Sequence, residues 1–265
     1  MINRLLPLIF LCACTTTQVL SPVAVASGIP NKGVYGIAQF GDSDPVKIKG
    51  KQPGAYPIHG IDVSRHNQGV NWSRAAKNGI SFAFIKATEG KDDGDRRFTE
   101  FWQAAKRANM PRSAYHFYYF CAPAKAQAAN YIRRVPKSDS SLPPVLDVEW
   151  NPKSPTCTIR PPRKEVLRVL TTWLKTIERH YGQRPVIYTT VDFYADNFSD
   201  GALKDYPFWL RSVTAQPKYK YAGRDWVFWQ YSGTGRVPGI EGDVDLNLFN
   251  GSISDWKRWM KKNGR

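Results

Sequence analysis

Apolar residues in this chain fall into short runs separated by polar and Gly/Pro-rich stretches. The runs at 59–65, 82–88, 114–120, 145–150, 185–190, 208–213 and 226–232 are rich in β-branched and aromatic residues and are predicted as strands, with a last short run at 244–246. Between the early runs the spacing predicts helices over 72–77, 98–108, 124–134 and 164–181. In the longest of these, Val166, Val169, Leu170, Trp173, Leu174 and Ile177 recur at three- and four-residue intervals, giving one apolar stripe against a sheet and a basic opposite face. Gly182 stops that helix and Pro185 opens the next strand. Beyond Thr190 the strands continue while the helices become short or absent. This pattern predicts an α/β fold, a modified parallel barrel of about eight strands with fewer helices than a full TIM barrel. The barrel domain is placed at 57–265. Residues 27–56, rich in Gly, Pro and Lys and without apolar periodicity, read as a flexible tether or loosely packed arm.

The run Pro143-Pro144-Val145-Leu146-Asp147-Val148-Glu149-Trp150 sets two carboxylates one residue apart in an otherwise apolar strand. Side chains alternate along a strand, so Asp147 and Glu149 share a face with Val145, their Cα atoms roughly 6.6 Å apart. Burying two like-charged acids together is costly, and the usual outcome is a raised pKa on one of them, which makes a general acid. In a barrel the strand ends that feed the following loops form the active face. Asp62, Asp147, Glu149 and Asp245 all sit on predicted strands and converge there only if the sheet closes. Two bland alternatives stand beside this: Asp62 as a turn or cap residue near Ser64, and Asp245 as a simple strand terminus, with Asp243 the better match if the register shifts by two.

At 265 residues, 42% of them hydrophobic and 13% aromatic, the chain supports a substantial core, which excludes disorder throughout. A formal net charge of +16 implies an anionic partner: nucleic acid, membrane headgroups or an acidic wall polymer. No helix-turn-helix, RNP-like or zinc-finger pattern appears, so nucleic acid is not expected.

Residues 1–26 read as an export signal, with Arg4 ahead of the apolar run Leu5-Leu6-Pro7-Leu8-Ile9-Phe10-Leu11, too short to span a bilayer. Two cleavage sites compete. Leu11-Cys12-Ala13-Cys14 resembles a lipobox, with Cys14 as the lipidated first residue, and Ala24-Val25-Ala26 fits ordinary signal peptidase. The first is favoured because the second lies far beyond the apolar run. Export predicts a periplasmic, envelope-anchored or secreted protein, its only membrane contact a lipid on Cys14. Of the four cysteines, Cys121 and Cys157 remain in a compartment where thiols oxidise. They are a candidate pair, with two separate buried thiols as the alternative. No His/Cys cluster has metal-ligand spacing, so no metal or other cofactor is expected.

The set His59-Gly60-Ile61-Asp62-Val63-Ser64, Phe82-Ala83-Phe84-Ile85-Lys86-Ala87-Thr88-Glu89-Gly90, Ala114-Tyr115-His116-Phe117, Leu146-Asp147-Val148-Glu149, Val186-Ile187-Tyr188-Thr189, Phe228-Trp229-Gln230-Tyr231-Ser232 and Gly242-Asp243-Val244-Asp245-Leu246-Asn247 closely resembles the glycoside hydrolases of family 25, the Chalaropsis-type lysozymes. The likeness runs in order from about residue 56 to 251. It implies an irregular (β/α)5(β)3 barrel and hydrolysis of the β-1,4 bond between N-acetylmuramic acid and N-acetylglucosamine in peptidoglycan glycan strands, by a monomer. By position, the resemblance makes Glu149 the general acid and Asp147 the group that assists the substrate's N-acetyl group, with Asp62 and Asp245 as supporting carboxylates. Adjacent acids on one strand suit a route in which the substrate supplies the nucleophile, with covalent and inverting routes as the alternatives. A non-catalytic peptidoglycan-binding barrel is the alternative, and the intact Glu149 speaks against it.

Aromatic rings stack on the apolar faces of sugars while polar neighbours hold the hydroxyls, which makes Tyr118, Tyr188, Trp209 and Gln230 candidate substrate contacts, together with His116 if its side of the strand faces the interior. The parity of the run 114–120 is not readable from sequence, so Tyr115, Phe117 and Tyr119 are the competing set. His116 reads as readily as a buried, hydrogen-bonded core histidine, and Trp229 reads as core in preference to a sugar platform. Arg211 departs from the family pattern and is read either as a contact to a muramyl lactate or peptide carboxylate or as the partner of a neighbouring acid. The segment 151–163 reads as a long loop after the catalytic strand, which a Cys121–Cys157 bridge would brace. The stretch 254–262, with Trp256, Trp259 and Met260 on one side, predicts a terminal helix, with membrane-surface contact as the lesser alternative.

Overall fold

Most of the strand runs carry apolar residues on both faces, so each needs a core on either side, and a closed barrel wrapped by helices supplies both. The computed structural model describes residues 38–137 and 142–264. In chain order it contains β1 (Gly41–Asp42), β2 (His59–Val63), α1 (Trp72–Lys77), β3 (Ile80–Glu89), β4 (Asp93–Gly94), α2 (Phe98–Arg107), β5 (Arg112–Phe117), α3 (Ala124–Arg134), β6 (Val145–Val148), α4 (Arg163–Tyr181), β7 (Val186–Thr189), α5 (Val191–Asn197), β8 (Phe208–Arg211), β9 (Phe228–Arg236), β10 (Val244–Phe249) and α6 (Ile253–Asn263). Parallel pairing runs from β2 through β3, β5, β6, β7 and β8 to β9. β10 lies antiparallel between β9 and β2 and closes the ring. Five strand–helix units are therefore followed by three strands, the irregular barrel that the sequence predicts. α5 is the helix the periodicity did not resolve: at seven residues it is too short to develop an apolar stripe, although Phe193 and Tyr194 are buried.

Alternation sorts the side chains into two cores. Phe82, Phe84, Val145, Val186, Trp209 and Phe228 fill the barrel, whereas Ile61, Ile85, Leu146, Ile187, Leu210 and Trp229 face the helices. Trp229 is thus a core residue. The interior is packed so closely beside β2 that a Cβ on Gly60 would stand 2.4 Å from the Phe82 ring.

The end of the barrel opposite the βα loops is closed by α6. Ser252 and Asp255 form a reciprocal capping box at its start. Trp256 then enters against Phe249 and Phe82, ring centroids 5.2 and 5.5 Å away, and Trp259 stacks on Trp256 at 5.9 Å. The apolar side expected of a terminal helix is consumed by this packing.

One expectation is corrected. The second half of the supposed loose arm is built into the fold: β1 pairs with β9, Ile48 is buried, and buried Tyr56 receives a hydrogen bond from Gln216 at 2.8 Å. These residues anchor through isolated contacts, which leave no periodic signature. The export-signal reading and Cys14 fall outside the described residues.

Candidate active site

Inward positions at the βα-loop end of the barrel bring the four expected acids together. Asp62 near the end of β2 faces its Cα partner Asp245 at the start of antiparallel β10. Asp147 projects from β6, and Glu149 follows one pleat further out on the same face. Asp243 is exposed and engaged by Ser43 and Arg236, so Asp245 is the residue in the cluster.

A buried polar network holds Asp62. Its Oδ2 accepts from Gln230 Nε2 and Asn247 Nδ2, each at 2.8 Å. The amide oxygens of those two residues accept in turn from the Tyr188 hydroxyl at 2.9 Å and from Trp209 Nε1 at 2.8 Å. Every member is buried, so each fixes the orientation of the next. Asp62 is therefore a mid-strand network residue, and the turn or cap reading is set aside.

Burial without a full set of cationic partners pushes all four acids toward the neutral form. Burial raises Asp147 well above the usual carboxylate range, with the neighbouring Glu149 charge adding to it. Glu149 is raised to about 7 by burial, against an opposing pull from Arg211. Burial and the Asp62 charge bring Asp245 to about 9. Asp62 is also raised by burial, although its hydrogen bonds from Asn247 and Gln230 favour the charged form. Asp147 is 7% exposed and its Oδ1 has no hydrogen-bond partner, whereas Glu149 lies partly open at the mouth. The two acids thus differ in depth, and the outer one has the longer side chain.

On the β3–β5 side, Lys86 pairs with Glu89 at 2.6 Å, and its ammonium lies 4.9 Å over the Phe117 ring. The Tyr119 hydroxyl donates to the same Glu89. Burial would raise Glu89, but the hydrogen bonds from Lys86 and Tyr119 hold it below its usual value. Across the rim, the Cys121–Cys157 disulfide, Cα atoms 5.7 Å apart, ties the loop after β5 to the loop after β6.

Two expected substrate contacts are misplaced and three others are repositioned. His116 and Tyr118 face the helix layer: His116 stacks on Trp173 of α4 at 5.5 Å and is engaged by Thr88 and Gln127. Burial lowers its pKa to about 4, as suits a neutral core histidine. Tyr118, 2% exposed, packs against Phe120 in that same outer layer. The inward set on β5 is Tyr115 and Phe117, the parity opposite to that of the His116 expectation. Trp209 and Tyr188 do reach the site, but as its floor. The Trp209 ring is flanked by Phe84 at 4.3 Å and Tyr188 at 4.5 Å, which leaves no open face for a sugar. Gln230 belongs to the same floor through its bond to Asp62. Tyr115 belongs to the competing parity set of the sequence reading, whereas Asn247 is not singled out there. Asn247 had a readable signal, since it lies two residues from Asp245 and therefore on the same face.

A cluster of acids raised by burial, at the loop end of a β/α barrel, is the kind of arrangement that glycoside hydrolases present to their substrate. The chain belongs to glycosyl hydrolase family 25, whose family model, Glycosyl hydrolases family 25, matches residues 61–240. It is 39% identical over 213 residues to the Escherichia coli (strain K12) protein YegX, covering 78% of this chain and 75% of that one. It is 37% identical over 209 residues to lysozyme M1 of Streptomyces globisporus, covering 74% and 69%. Among solved structures, a family 25 glycosyl hydrolase from Bacillus anthracis superposes with a TM-score of 0.71 at 32% identity, covering 82% of this chain and 99% of the other.

Proposed function

We propose that the protein is an exported peptidoglycan muramidase that cleaves the β-1,4 bond between N-acetylmuramic acid and N-acetylglucosamine. The reading is carried by one observation, a carboxyl raised to about 7 at the open end of the barrel with a second, deeper carboxyl beside it. Similarity to lysozyme M1 and to N,O-diacetylmuramidase of Chalaropsis sp. supports the choice of substrate.

In this mechanism Glu149 in its acid form gives its proton to the glycosidic oxygen as the bond from that oxygen to the muramyl anomeric carbon breaks. The acetamido carbonyl oxygen of the same sugar closes onto that carbon from the opposite face, while Asp147 accepts the amide N–H. Water then opens the ring so formed and loses a proton to the Glu149 carboxylate, which restores the acid. Two displacements at one carbon give net retention. Asp62 and Asp245, held by the floor network, support the site electrostatically. The apolar run at 5–11 with its two candidate cleavage sites supports export.

The test is digestion of purified cell walls. Wild type should release muropeptides with muramic acid at their new reducing ends, and Glu149→Gln should lose about 10²- to 10⁴-fold of that activity. Wall binding by wild type without products would instead mean a binding barrel. Proton NMR of the first product formed should show the β anomer, and an α product would eliminate the acetamido route.

A further inference from the structure

Arg211 closes β8 on the same inward face as Trp209, two residues nearer the loops, and is exposed where Trp209 is buried. Its Cα partner on β9 is Gln230, and the partner of Trp209 on β7 is Tyr188, so Arg211 leaves the barrel wall one pleat above Trp209 and beside the floor network. Its charge is felt by Asp62, Glu149 and Asp245, so it stands within electrostatic reach of acids contributed by three different parts of the barrel. Four other cations around this end are paired with carboxylates: Lys86 with Glu89, Arg65 with Asp93, Arg97 with Glu100 and Arg236 with Asp243. The Arg211 side chain has no such carboxylate among the described residues. The acids it faces, Asp62, Glu149 and Asp245, are reached only through its charge, with no ion pair to any of them among the described residues.

An unpaired planar guanidinium beside the site presents a two-pronged donor for a carboxylate brought by the ligand. On a glycan of alternating N-acetylglucosamine and N-acetylmuramic acid, the only anionic chemistry lies on the 3-O-lactyl arm. It is either the lactyl carboxylate itself, in strands without peptide, or a carboxylate of the peptide attached there. We propose that Arg211 recognises a carboxylate carried on the 3-O arm of the muramyl sugar and so selects anionic wall glycan over neutral N-acetylglucosamine polymer. This rests on the muramidase reading and adds a specificity determinant to it.

The experiment measures binding of three soluble ligands to Glu149→Gln, which turns them over too slowly to deplete them during the measurement, and to the same variant carrying Arg211→Gln or Arg211→Lys. The ligands are peptide-free glycan strands, peptide-bearing strands and N-acetylglucosamine oligomers. Arg211→Gln should weaken binding of a carboxylate-bearing ligand about ten- to a hundredfold and that of the neutral oligomer less than about twofold. Arg211→Lys should fall between, because it offers a point charge and no fork. The carboxylate source is identified by which anionic ligand loses more. Equal weakening on all three ligands, no weakening on any, or no binding of either anionic ligand by the parent overturns the proposal. Failure of the underlying reading shows separately, as wild type releasing no reducing ends from either muramyl glycan.

Discussion

Glu149 carries opposite obligations in catalysis and in stability. In the proposed mechanism its proton must be present for leaving-group protonation, so kcat/KM should be level on the acid side and fall about tenfold per pH unit above roughly 7. A pH–rate profile on soluble glycan checks this, and a rate that stays constant up to pH 9 would sink the assignment. The same raised pKa is a stability statement. A carboxyl at 4.5 when unfolded and about 7 when folded contributes stability that is fully present below 4.5 and is lost as pH rises through 7. Asp245, raised from 3.8 to about 9, extends that loss further up the scale. Glu149→Gln removes one of these groups, so at pH 8 the inactive variant should be more stable than wild type, on the order of 1–3 kcal/mol after allowance for its partial exposure. Near pH 4 the difference should vanish, which thermal unfolding at the two pH values will show. An acid poised for catalysis here is one the fold would hold more easily as an amide.

Among the elements, the disulfide and α6 do the bracing at opposite ends. Cys121 and Cys157 close a separation of 36 residues and tie together two active-face loops. Cys121→Ser with Cys157→Ser should cost about 2–4 kcal/mol in denaturant unfolding, and reducing agent should lower wild type to the same level. At the other end Trp256 is 1% exposed among Phe82, Phe228 and Phe249, and Trp256→Ala should cost about 3–5 kcal/mol without touching a catalytic group. Reduced stability with kcat retained below the melting range is the expected outcome. The strand elements and the longer helices were legible because their apolar periods are long enough to count. Asp147 and Glu149 were legible for the same reason, since two residues on one strand share a face wherever the strand lies. The face of His116 and Tyr118 was not, because alternation gives relative parity only. The absolute parity of β5 is set by its neighbours, and its register with β3 slips between Lys86 and Thr88. The packing of Ile48 and Tyr56 escaped notice because single anchors carry no pattern.

For the molecule as a whole, the excess of positive charge has a consequence separable from the chemistry. A net charge of +16 favours association with an anionic wall through many weak contacts screened over about 10 Å at 0.1 M salt. Raising salt from about 0.05 to about 0.3 M should therefore release the protein from insoluble walls. Turnover of a short soluble glycan should change far less, and co-sedimentation beside a soluble assay separates the two. A parallel fall in both would place the charge effect inside the cleft.

The closing of the ring by β10 also governs when this chain acquires a working site during biosynthesis. Asn247 and Asp62 are 185 residues apart in sequence, yet one hydrogen bond joins them within the acid network. A nascent polypeptide interrupted before residue 249 has neither the closing strand nor the aromatic plug of α6. Such distant pairing forms slowly, because the cost of ordering the intervening segment precedes the reward. Hydrolytic capacity is consequently withheld until translation has passed almost every other element, and a prematurely released fragment would be inert toward any wall it met.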